Sequence, residues 1–245
     1  MATLASLKIA SFNANGLGNN SKRKDVFDYL RKQDLDIVLL QETHFKSEQE
    51  NFIRSNWGYE CFISGNSSNQ GGVAILFNNT FEFKLHSQYK SDNGNFIVLD
   101  LEILNKRLSL VNLYGPSNND SPTFFESVFD KIKEFGNEDI IIGGDWNVYL
   151  NPLLDTSSNT NPNYRQNSRR CIQNSMTELN LIDIFRYIYP DKKRYSWRRF
   201  NSSQQSRLDF FLISDSLTSE ISSSNINIGY CSDHSIVVIG IKKHG

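Results

Sequence analysis

Six short polar motifs recur along the chain, each at a place where a run of apolar residues stops. They are Ser11-Phe12-Asn13, Gln41-Glu42-Thr43, Asn112-Leu113-Tyr114-Gly115-Pro116, Gly144-Asp145-Trp146-Asn147, Arg207-Leu208-Asp209 and Ser232-Asp233-His234. Apolar runs of this kind indicate strands, and the ends of strands in a rigid scaffold commonly direct side chains into a shared cleft. One such motif says little by itself, whereas six in order indicate one site assembled from distant parts of the chain.

The residue types in these motifs favour metal-assisted hydrolysis of a phosphodiester. Glu42 directly follows an apolar run, and a carboxylate there could bind a hard cation such as Mg²⁺, which prefers oxygen ligands. Asp145 and Asn147 are two residues apart, so an extended backbone would turn both to one face, where they could aim a water and hydrogen-bond a phosphate. The sequence contains no GxxxxGK[ST], HExxH or GxSxG signature of P-loop, zinc peptidase or serine esterase chemistry.

Further polar residues extend the predicted site. Asn13 could orient the metal-binding carboxylate or contact the phosphate, and Tyr114 could offer its phenol to the phosphate. His234, beside Asp233, could neutralise a phosphoryl oxygen as an imidazolium or act as a base when neutral, and the sequence leaves both open. Each residue also has an ordinary structural interpretation: Asn13 as a turn former, Tyr114 as a core aromatic, and Asp209 as a carboxylate that starts a strand.

Eight apolar runs predict the strands that carry these motifs, at residues 7–12, 36–40, 72–77, 96–104, 108–114, 139–142, 208–213 and 235–241. Helical patterns interleave with them, one capped by Ser21, one opened by Pro122 and one over residues 170–179. Between Gly72 and Tyr114 several strands follow one another without a helix, unlike a strictly alternating parallel fold. This order favours two sheets packed together with helices outside.

Length and composition are compatible with one large intracellular domain. The chain has 245 residues, within the range of single β-rich domains. Its three cysteines are widely spaced and lack CxxC or Cys/His pairs, which predicts ordinary thiols and no zinc site or disulfide framework. No apolar run approaches the roughly 20 residues that span a bilayer, and residues 1–10 lack the pattern of a signal peptide. We therefore expect a protein that does not interact with a membrane.

The distribution of charge is more informative than the net charge of -1. Residues 160–210 carry ten Lys+Arg against four Asp+Glu, or +6, which leaves -7 for the remainder. Within this basic third, residues 197–206 are predicted to form a hairpin beside the site, with arginine and aromatic types that grip a DNA backbone or wedge into a minor groove. A solvated charge run and an incidental exposed hairpin are the alternatives. The residues predicted to bind DNA are Arg165, Arg169, Ser196, Trp197, Arg198, Arg199, Phe200 and Arg207.

Together the six motifs resemble the endonuclease/exonuclease/phosphatase superfamily, which includes DNase I, apurinic endonucleases and the endonuclease domains of LINE retrotransposons. The resemblance covers essentially the whole chain and implies a four-layered α/β sandwich, with two packed mixed β-sheets flanked by helices. It implies Mg²⁺, for which Mn²⁺ can substitute, bound by Glu42 with Asn13 close by. It also assigns Asp145 and Asn147 to the water and phosphate, Tyr114 and Asp209 to support of the transition state, and Asp233 with His234 to closure of the site.

The neighbourhoods of the motifs resemble the L-clade LINE endonucleases of animals more than repair enzymes or sphingomyelinases. These are Phe124-Phe125, Leu154-Asp155-Thr156, and the segment from Leu181 to Arg186 before Tyr195-Ser196-Trp197. The chain departs from the family at Ser117, where many relatives carry asparagine. A LINE protein continues into a reverse transcriptase, so residues 1–245 are interpreted as a single endonuclease domain excised from a longer protein. We expect it to be monomeric in isolation and to act on nuclear DNA.

The predicted function is therefore a Mg²⁺-dependent endonuclease that nicks one strand of double-stranded DNA, leaving a 3′-hydroxyl to prime reverse transcription. An apurinic/apyrimidinic-site repair endonuclease is the main alternative. A lipid or inositol phosphatase is a further one, although those enzymes usually carry longer inserts around the substrate cleft. A non-catalytic DNA-binding relative is disfavoured because a decayed site would be expected to lose some of the residues Glu42, Asp145, Asn147, Asp209 and His234.

Overall fold

Two mixed β-sheets packed face to face form the centre of the computed structural model, which describes residues 6–66, 70–78, 81–157 and 163–243. The strands are β1 (Ser6–Asn13), β2 (Ile37–Gln41), β3 (Cys61–Ser64), β4 (Val73–Phe77), β5 (Lys84–Lys90), β6 (Phe96–Ile103), β7 (Lys106–Tyr114), β8 (Asp139–Asp145), β9 (Leu181–Asp183), β10 (Trp197–Arg198), β11 (Gln205–Ser206), β12 (Asp209–Ser214), β13 (Ile221–Asn227) and β14 (Ile236–Lys242). The first sheet has the order β13-β14-β1-β2-β4-β3, and the second has the order β5-β6-β7-β8-β12-β9. Strands β10 and β11 pair separately as a hairpin.

Four α-helices cover the outer faces of the sheets, and a fifth, at Ile184–Ile188, contributes apolar side chains to the core between them. They are α1 (Asn20–Arg31), α2 (Glu50–Trp57), α3 (Thr123–Phe135), α4 (Gln166–Glu178) and α5 (Ile184–Ile188), with short 3-10 helices at Ser47–Gln49 and Asp215–Glu220. The apolar faces of α1 and α2 pack on the first sheet, and those of α3 and α4 pack on the second. This arrangement confirms the predicted four-layered sandwich. Within the described ranges, no helix combines the length and apolar character needed to cross a bilayer.

The central strands are apolar along their whole length because both of their faces are buried. In β8, Ile141 packs in the core between the two sheets, whereas Ile140 and Ile142 pack in the core beneath α3 and α4. Successive side chains of a strand point to opposite faces, so a strand covered on both sides needs apolar residues at every position. The eight predicted strands have this character, and all eight are present with ends that differ by a few residues.

The strands that the sequence did not predict lie at the edges of the two sheets. β3 and β13 end the first sheet, and β5 and β9 end the second. β5 reads KLHSQYK and β13 reads ISSSNIN, with many exposed positions. β5 and β13 pair on one side only and are open to solvent, so they lack the apolar signal of a central strand, whereas β3 and β9 are mostly buried but only four and three residues long. Each of these edge strands is formed by its hydrogen-bonded pairing with the neighbouring strand.

Two helix starts differ from the predicted ones. The cap of α1 is Asn19, whose side chain accepts a hydrogen bond of 3.1 Å from the amide of Lys22, so the prediction of Ser21 as the cap is wrong. Helix α4 begins at Gln166, earlier than residue 170, because the Asp120 carboxylate accepts hydrogen bonds from the first-turn amides of Asn167 and Ser168, at 3.0 and 2.9 Å. Asp120 is distant in sequence, and local pattern could not reveal it as a cap.

Candidate active site between the two sheets

The polar motifs meet because the strands that carry them end at one edge of the sandwich. β1 runs parallel to β2 and antiparallel to β14, and β7 runs parallel to β8, which is antiparallel to β12. The carboxyl ends of β1, β2, β7 and β8 therefore meet at the same edge as the segments that lead into β12 and β14. The residues placed there are Asn13, Glu42 and His234 from the first sheet and Tyr114, Asp145 and Asp209 from the second. The site thus requires both sheets.

A cleft of about 730 Å³ opens at this edge. Its floor includes Glu42, Asp145 and His234, while Asn13 and Asp209, each 0% exposed, lie behind the lining. A concave pocket with convergent polar groups is the usual form of a catalytic site. The structure brings together all eight residues predicted as catalytic: Asn13, Glu42, Tyr114, Asp145, Asn147, Asp209, Asp233 and His234.

Asn13 joins the carboxylates of the two sheets. Its Nδ2 donates to Oε1 of Glu42 at 3.1 Å and to Oδ2 of Asp145 at 2.9 Å. Its Oδ1 accepts from the backbone amide of Asn15 at 2.9 Å. Asn13 therefore lies where it can orient Glu42 and Asp145, and its place in the metal site stays a prediction.

His234 lies between two buried carboxylates. Its Nδ1 is 2.8 Å from Oδ2 of Asp209, and its Nε2 is 3.9 Å from Oδ2 of Asp145. Burial alone would lower the pKa of His234, but the charges of Asp209 and Asp145 outweigh burial and raise this pKa to about 10. The imidazole is then protonated on both nitrogens at neutral pH, with Nδ1 donating to Asp209. Asp209 is held in turn by Ser196, whose hydroxyl donates to Oδ2 at 2.6 Å.

Asp145 and Asn147 reach the cleft by different backbone conformations. Asp145 ends β8, whereas Asn147 has φ of 52° in the left-handed region, so the two residues do not share one extended segment as the sequence predicted. The turn lets the backbone amide of Asn147 donate to Oδ1 of Asp145 at 2.9 Å. The side-chain Nδ2 of Asn147 donates to the backbone carbonyl of Gly115 at 2.9 Å. Burial and the nearby charge of Asp209 raise the pKa of Asp145 to about 7.

Glu42 and Tyr114 are neighbours in the cleft lining. Glu42 also has a left-handed backbone, with φ of 49°, immediately after β2. Burial, followed by the hydrogen bond and negative charge of Glu42, raises the pKa of Tyr114 above its ordinary value, so the phenol stays protonated and can donate. Such backbone conformations persist where surrounding structure holds them, and they commonly mark functional sites.

The predicted hairpin is present and lies beside the cleft. Arg199 and Gln204 line the cleft, and Phe200 at the tip is 86% exposed. The base of the hairpin is fixed, because the Trp197 indole donates to Oδ2 of Asp233 at 2.9 Å. Oδ1 of Asp233 accepts from the Asn15 side chain at 3.0 Å. Trp197 therefore connects the hairpin to the active-site segment, while Arg198, Arg199 and Phe200 remain exposed.

Two of the residues predicted to bind DNA, Ser196 and Arg207, are almost completely enclosed by protein, and that prediction is wrong for them. Ser196 is 0% exposed and holds Asp209. Arg207 is 1% exposed and forms ion pairs with Asp155 and Asp183, with shortest distances of 2.8 and 2.5 Å. The sequence indicated the charge of Arg207 but could not indicate its partners, because both aspartates come from distant segments.

Arg165 and Arg169 are each 8% exposed, unlike the exposed arginines of the hairpin. The Arg165 guanidinium lines the cleft and donates to the carbonyls of Pro116 and Ser117. The Arg169 guanidinium lies 5.9 Å from the centre of the Tyr149 ring. Arg165 can present charge to the cleft, whereas Arg169 is packed against its wall.

A hard cation fits Glu42 better than it fits the most compact acidic group. Among the described residues, Asp145, Asp209 and His234 place potential ligand atoms within 4.8 Å of one another. Within this group Nδ1 of His234 is already hydrogen-bonded to Asp209, and Asp209 is itself 0% exposed and held by Ser196. Glu42 instead offers a carboxylate to the open cleft, the oxygen donor that Mg²⁺ prefers.

Comparisons with known proteins agree with this geometry. The sequence model described as the Endonuclease/Exonuclease/phosphatase family matches residues 10–234. The chain belongs to this family. Its predicted membership is therefore confirmed, together with hydrolytic nuclease chemistry. The family match extends from β1 to His234 and so includes every motif that contributes to the cleft.

Within the family, the chain is 28% identical over 235 residues to the Transposon TX1 uncharacterized 149 kDa protein of Xenopus laevis, covering 94% of this chain and 18% of that protein. It is 25% identical over 253 residues to an exodeoxyribonuclease of Bacillus subtilis (strain 168), covering 93% of this chain and 96% of that protein. The AP endonuclease LMAP from Leishmania major has the same fold, with a TM-score of 0.80, 18% identity, and coverage of 98% of this chain and 88% of that one.

Two residues of the motifs, Gln41 and Asn112, support the candidate site but had no predicted role. Gln41 donates to Oδ1 of Asn112 at 2.7 Å, and Asn112 donates to the carbonyls of Leu40 and Ala74, at 2.9 and 2.8 Å. This buried amide pair joins the two sheets directly behind the cleft. The signal was available, since an amide inside an otherwise apolar strand must find hydrogen-bond partners.

Proposed function

We propose that this chain is the endonuclease portion of a larger LINE-type retrotransposon protein and that it nicks one strand of double-stranded nuclear DNA. The nick leaves a 3′-hydroxyl that primes reverse transcription. The observation that carries this proposal is the convergence of Glu42, Asp145 and His234 in one cleft beside an exposed basic and aromatic hairpin. This chain spans less than a fifth of the length of the transposon relative, which supports the proposal of a larger parent protein.

The side chains divide the chemistry of phosphodiester hydrolysis between them. His234, protonated at neutral pH, directs Nε2 to the cleft and can donate to a phosphoryl oxygen as negative charge develops. Asp145, with a pKa near 7, can accept a proton from the attacking water, and Asn147 lies beside it. Bound at Glu42, Mg²⁺ would supply Lewis-acid stabilisation of the phosphate. Tyr114 provides a second donor.

An apurinic/apyrimidinic-site repair endonuclease is the second candidate, because the fold resembles that of an AP endonuclease. The two functions differ in what they require of the substrate. A retrotransposon nickase cuts intact supercoiled plasmid at preferred sequences, whereas a repair enzyme cuts at the abasic position of a duplex. We expect the chain to nick intact plasmid in the presence of Mg²⁺. Cleavage confined to abasic duplexes would support the repair function instead.

Glu42→Gln should raise the Mg²⁺ concentration needed for half-maximal nicking, because the amide preserves shape but removes the negative charge that a hard cation needs. Mg²⁺ titrations of plasmid nicking by the wild type and the variant measure this shift. Glu48→Gln, which changes an exposed glutamate on the nearby 3-10 helix, is the matched control and should titrate as the wild type does. Wild-type cleavage in excess EDTA, or an unchanged titration for Glu42→Gln, would contradict the proposed metal site.

Shortening the hairpin tip should flatten the nick-site distribution while phosphodiester cleavage continues. Trp197 is bonded to Asp233, so the replacement is confined to residues 200–203, with an Asn-Gly turn joining Arg199 to Gln204. The backbone amide of Arg199 donates to the backbone carbonyl of Gln204 at 3.0 Å, and a two-residue hairpin turn is compatible with this backbone pair. The wild type should favour A·T-rich or flexible pyrimidine-purine steps. An unchanged nick map for the shortened hairpin would show that selectivity is read elsewhere.

A further inference from the structure

Two stacked tyrosines form part of the cleft wall and have no role in the chemistry described above. The rings of Tyr149 and Tyr164 have centroids 5.5 Å apart and planes inclined by 19°. Tyr149 is 2% exposed, whereas Tyr164 is 45% exposed, and both line the cleft that contains Asp145 and His234. Tyr149 is therefore a fixed backing for the ring of Tyr164, which presents aromatic surface to the cleft.

Arg165 fixes this tyrosine stack to the end of β7. Its Nε donates to the Tyr164 hydroxyl at 3.1 Å, and its guanidinium donates to the carbonyls of Pro116 and Ser117, just after that strand. These contacts determine the position of Tyr164 relative to the sheet. An aromatic side chain held in this way loses little conformational freedom when a ligand packs on it.

The tyrosine stack and the hairpin are attached on either side of β8, the strand that Asp145 ends. In the second sheet, β8 lies between β7 and β12, and Asp145 ends β8. The stack is attached beyond β7, whereas the hairpin leads into β12 through Ser206 and Leu208. A strand crossing the cleft with its phosphate at Asp145 would therefore have the hairpin on one side and Tyr164 on the other.

The chemistry of this wall suits a nucleotide of a polyanionic strand. Arg165 adds positive charge beside the tyrosine, as Arg199 does on the hairpin side, and both line the cleft. Aromatic rings can stack on any base because every base has a π-face, and differences in stacking strength between bases give such a contact a modest sequence preference. Arginine neutralises the adjacent phosphate. A ring that served only to fill the core would be buried, which Tyr164 is not.

We propose that Tyr164 is a specificity-determining residue that packs against the nucleotide flanking the scissile phosphate on the side away from the hairpin. This inference rests on the proposed function, because it takes the substrate to be a DNA strand. Tyr149 positions the ring, and Arg165 holds the hydroxyl end. Site choice is then determined on both sides of the cut, by the hairpin on one and by Tyr164 on the other.

The test compares Tyr164→Ala, Tyr164→Phe and the control Tyr187→Ala, which removes a tyrosine that is 60% exposed on α5 outside the cleft. Each variant is assayed for kcat and KM on a duplex with one preferred nick site, for its nick map on plasmid, and for hydrolysis of bis(4-nitrophenyl) phosphate. Loss of one stacked base contact should lower kcat/KM on the duplex about tenfold, mainly through KM. Tyr164→Phe keeps the ring and should restore most of this loss, and Tyr187→Ala should match the wild type.

The small diester discriminates between a DNA contact and a structural role, because it has no flanking nucleotide. We expect the loss in Tyr164→Ala to be much smaller on this substrate than on the duplex, with a redistributed nick map. An equal loss on both substrates, or a wild-type kcat/KM and nick map, would overturn the inference. Failure of the proposed function would appear separately, as absence of duplex nicking by the wild-type protein, and would overturn this inference with it.

Discussion

Asp145→Asn and His234→Ala should each lower the rate of DNA nicking by at least about a hundredfold, the scale seen when one transition-state contact is removed. Asp145→Asn removes the group placed to accept a proton, and His234→Ala removes the cation placed to stabilise the phosphate. Single-turnover nicking of supercoiled plasmid with saturating Mg²⁺ measures both effects. His86→Ala, which changes an exposed histidine on β5, is the control and should nick as the wild type does.

The stability of the same two variants should differ. Burial and the charge of Asp209 both disfavour ionised Asp145, so Asp145→Asn should lower the free energy of unfolding less than His234→Ala does, even though it replaces one of the two oxygens that accept from Asn13 and Asn147. His234→Ala instead leaves the carboxylates of Asp145 and Asp209 without the cation between them and should lower the free energy of unfolding. Urea denaturation distinguishes these outcomes from loss of activity through unfolding. Near-wild-type nicking by both folded variants would show that the site is assigned incorrectly.

Arg207→Ala should be the most destabilising single substitution considered, lowering the free energy of unfolding by about 3–5 kcal/mol. The guanidinium is buried between the carboxylates of Asp155 and Asp183 and stacks on Phe210, with its central carbon 5.2 Å from the ring centre. Its removal leaves two buried negative charges, of which Asp155 retains Arg186 at 2.6 Å. Urea denaturation at neutral pH measures the loss.

The pH dependence of stability provides a second readout for the same cluster. Burial would raise the pKa of Asp155, but the charge and hydrogen bonds of Arg207, together with the hydrogen bonds from Asn151 and Arg186, outweigh burial and lower this pKa below the ordinary value of 3.8. The resulting stabilisation is fully present above 3.8 and is lost as pH falls through the lower folded-state pKa. Arg207→Ala should weaken this acid-dependent contribution. Arg199→Ala removes an exposed arginine and should change stability by no more than about 0.5 kcal/mol. A similar small change for Arg207→Ala would contradict the proposed role of the cluster.

The sequence was sufficient for the features that depend on local pattern. Continuous apolar runs identified the central strands, because these strands are buried on both faces, and the polar motifs at their ends predicted which residues meet at the cleft. Asp145 is an example: it follows the apolar run at residues 139–142 and a glycine pair, so its position at the end of a strand can be predicted from neighbouring residues alone. The six motifs then sufficed to predict the family and the four-layered fold.

Only the tertiary structure could decide features that depend on contacts between distant residues. Arg207 carries the positive charge typical of a DNA-binding residue, but it is buried against Asp155 and Asp183. Ser196 is also buried, and its hydroxyl holds Asp209. The edge strands form because a neighbouring strand offers them hydrogen bonds, not because of their own apolar pattern. Tyr164 becomes part of the cleft wall through its position beside Tyr149. A local pattern reports the chemical type and periodicity of residues, whereas burial and pairing depend on which remote segments the fold brings against them.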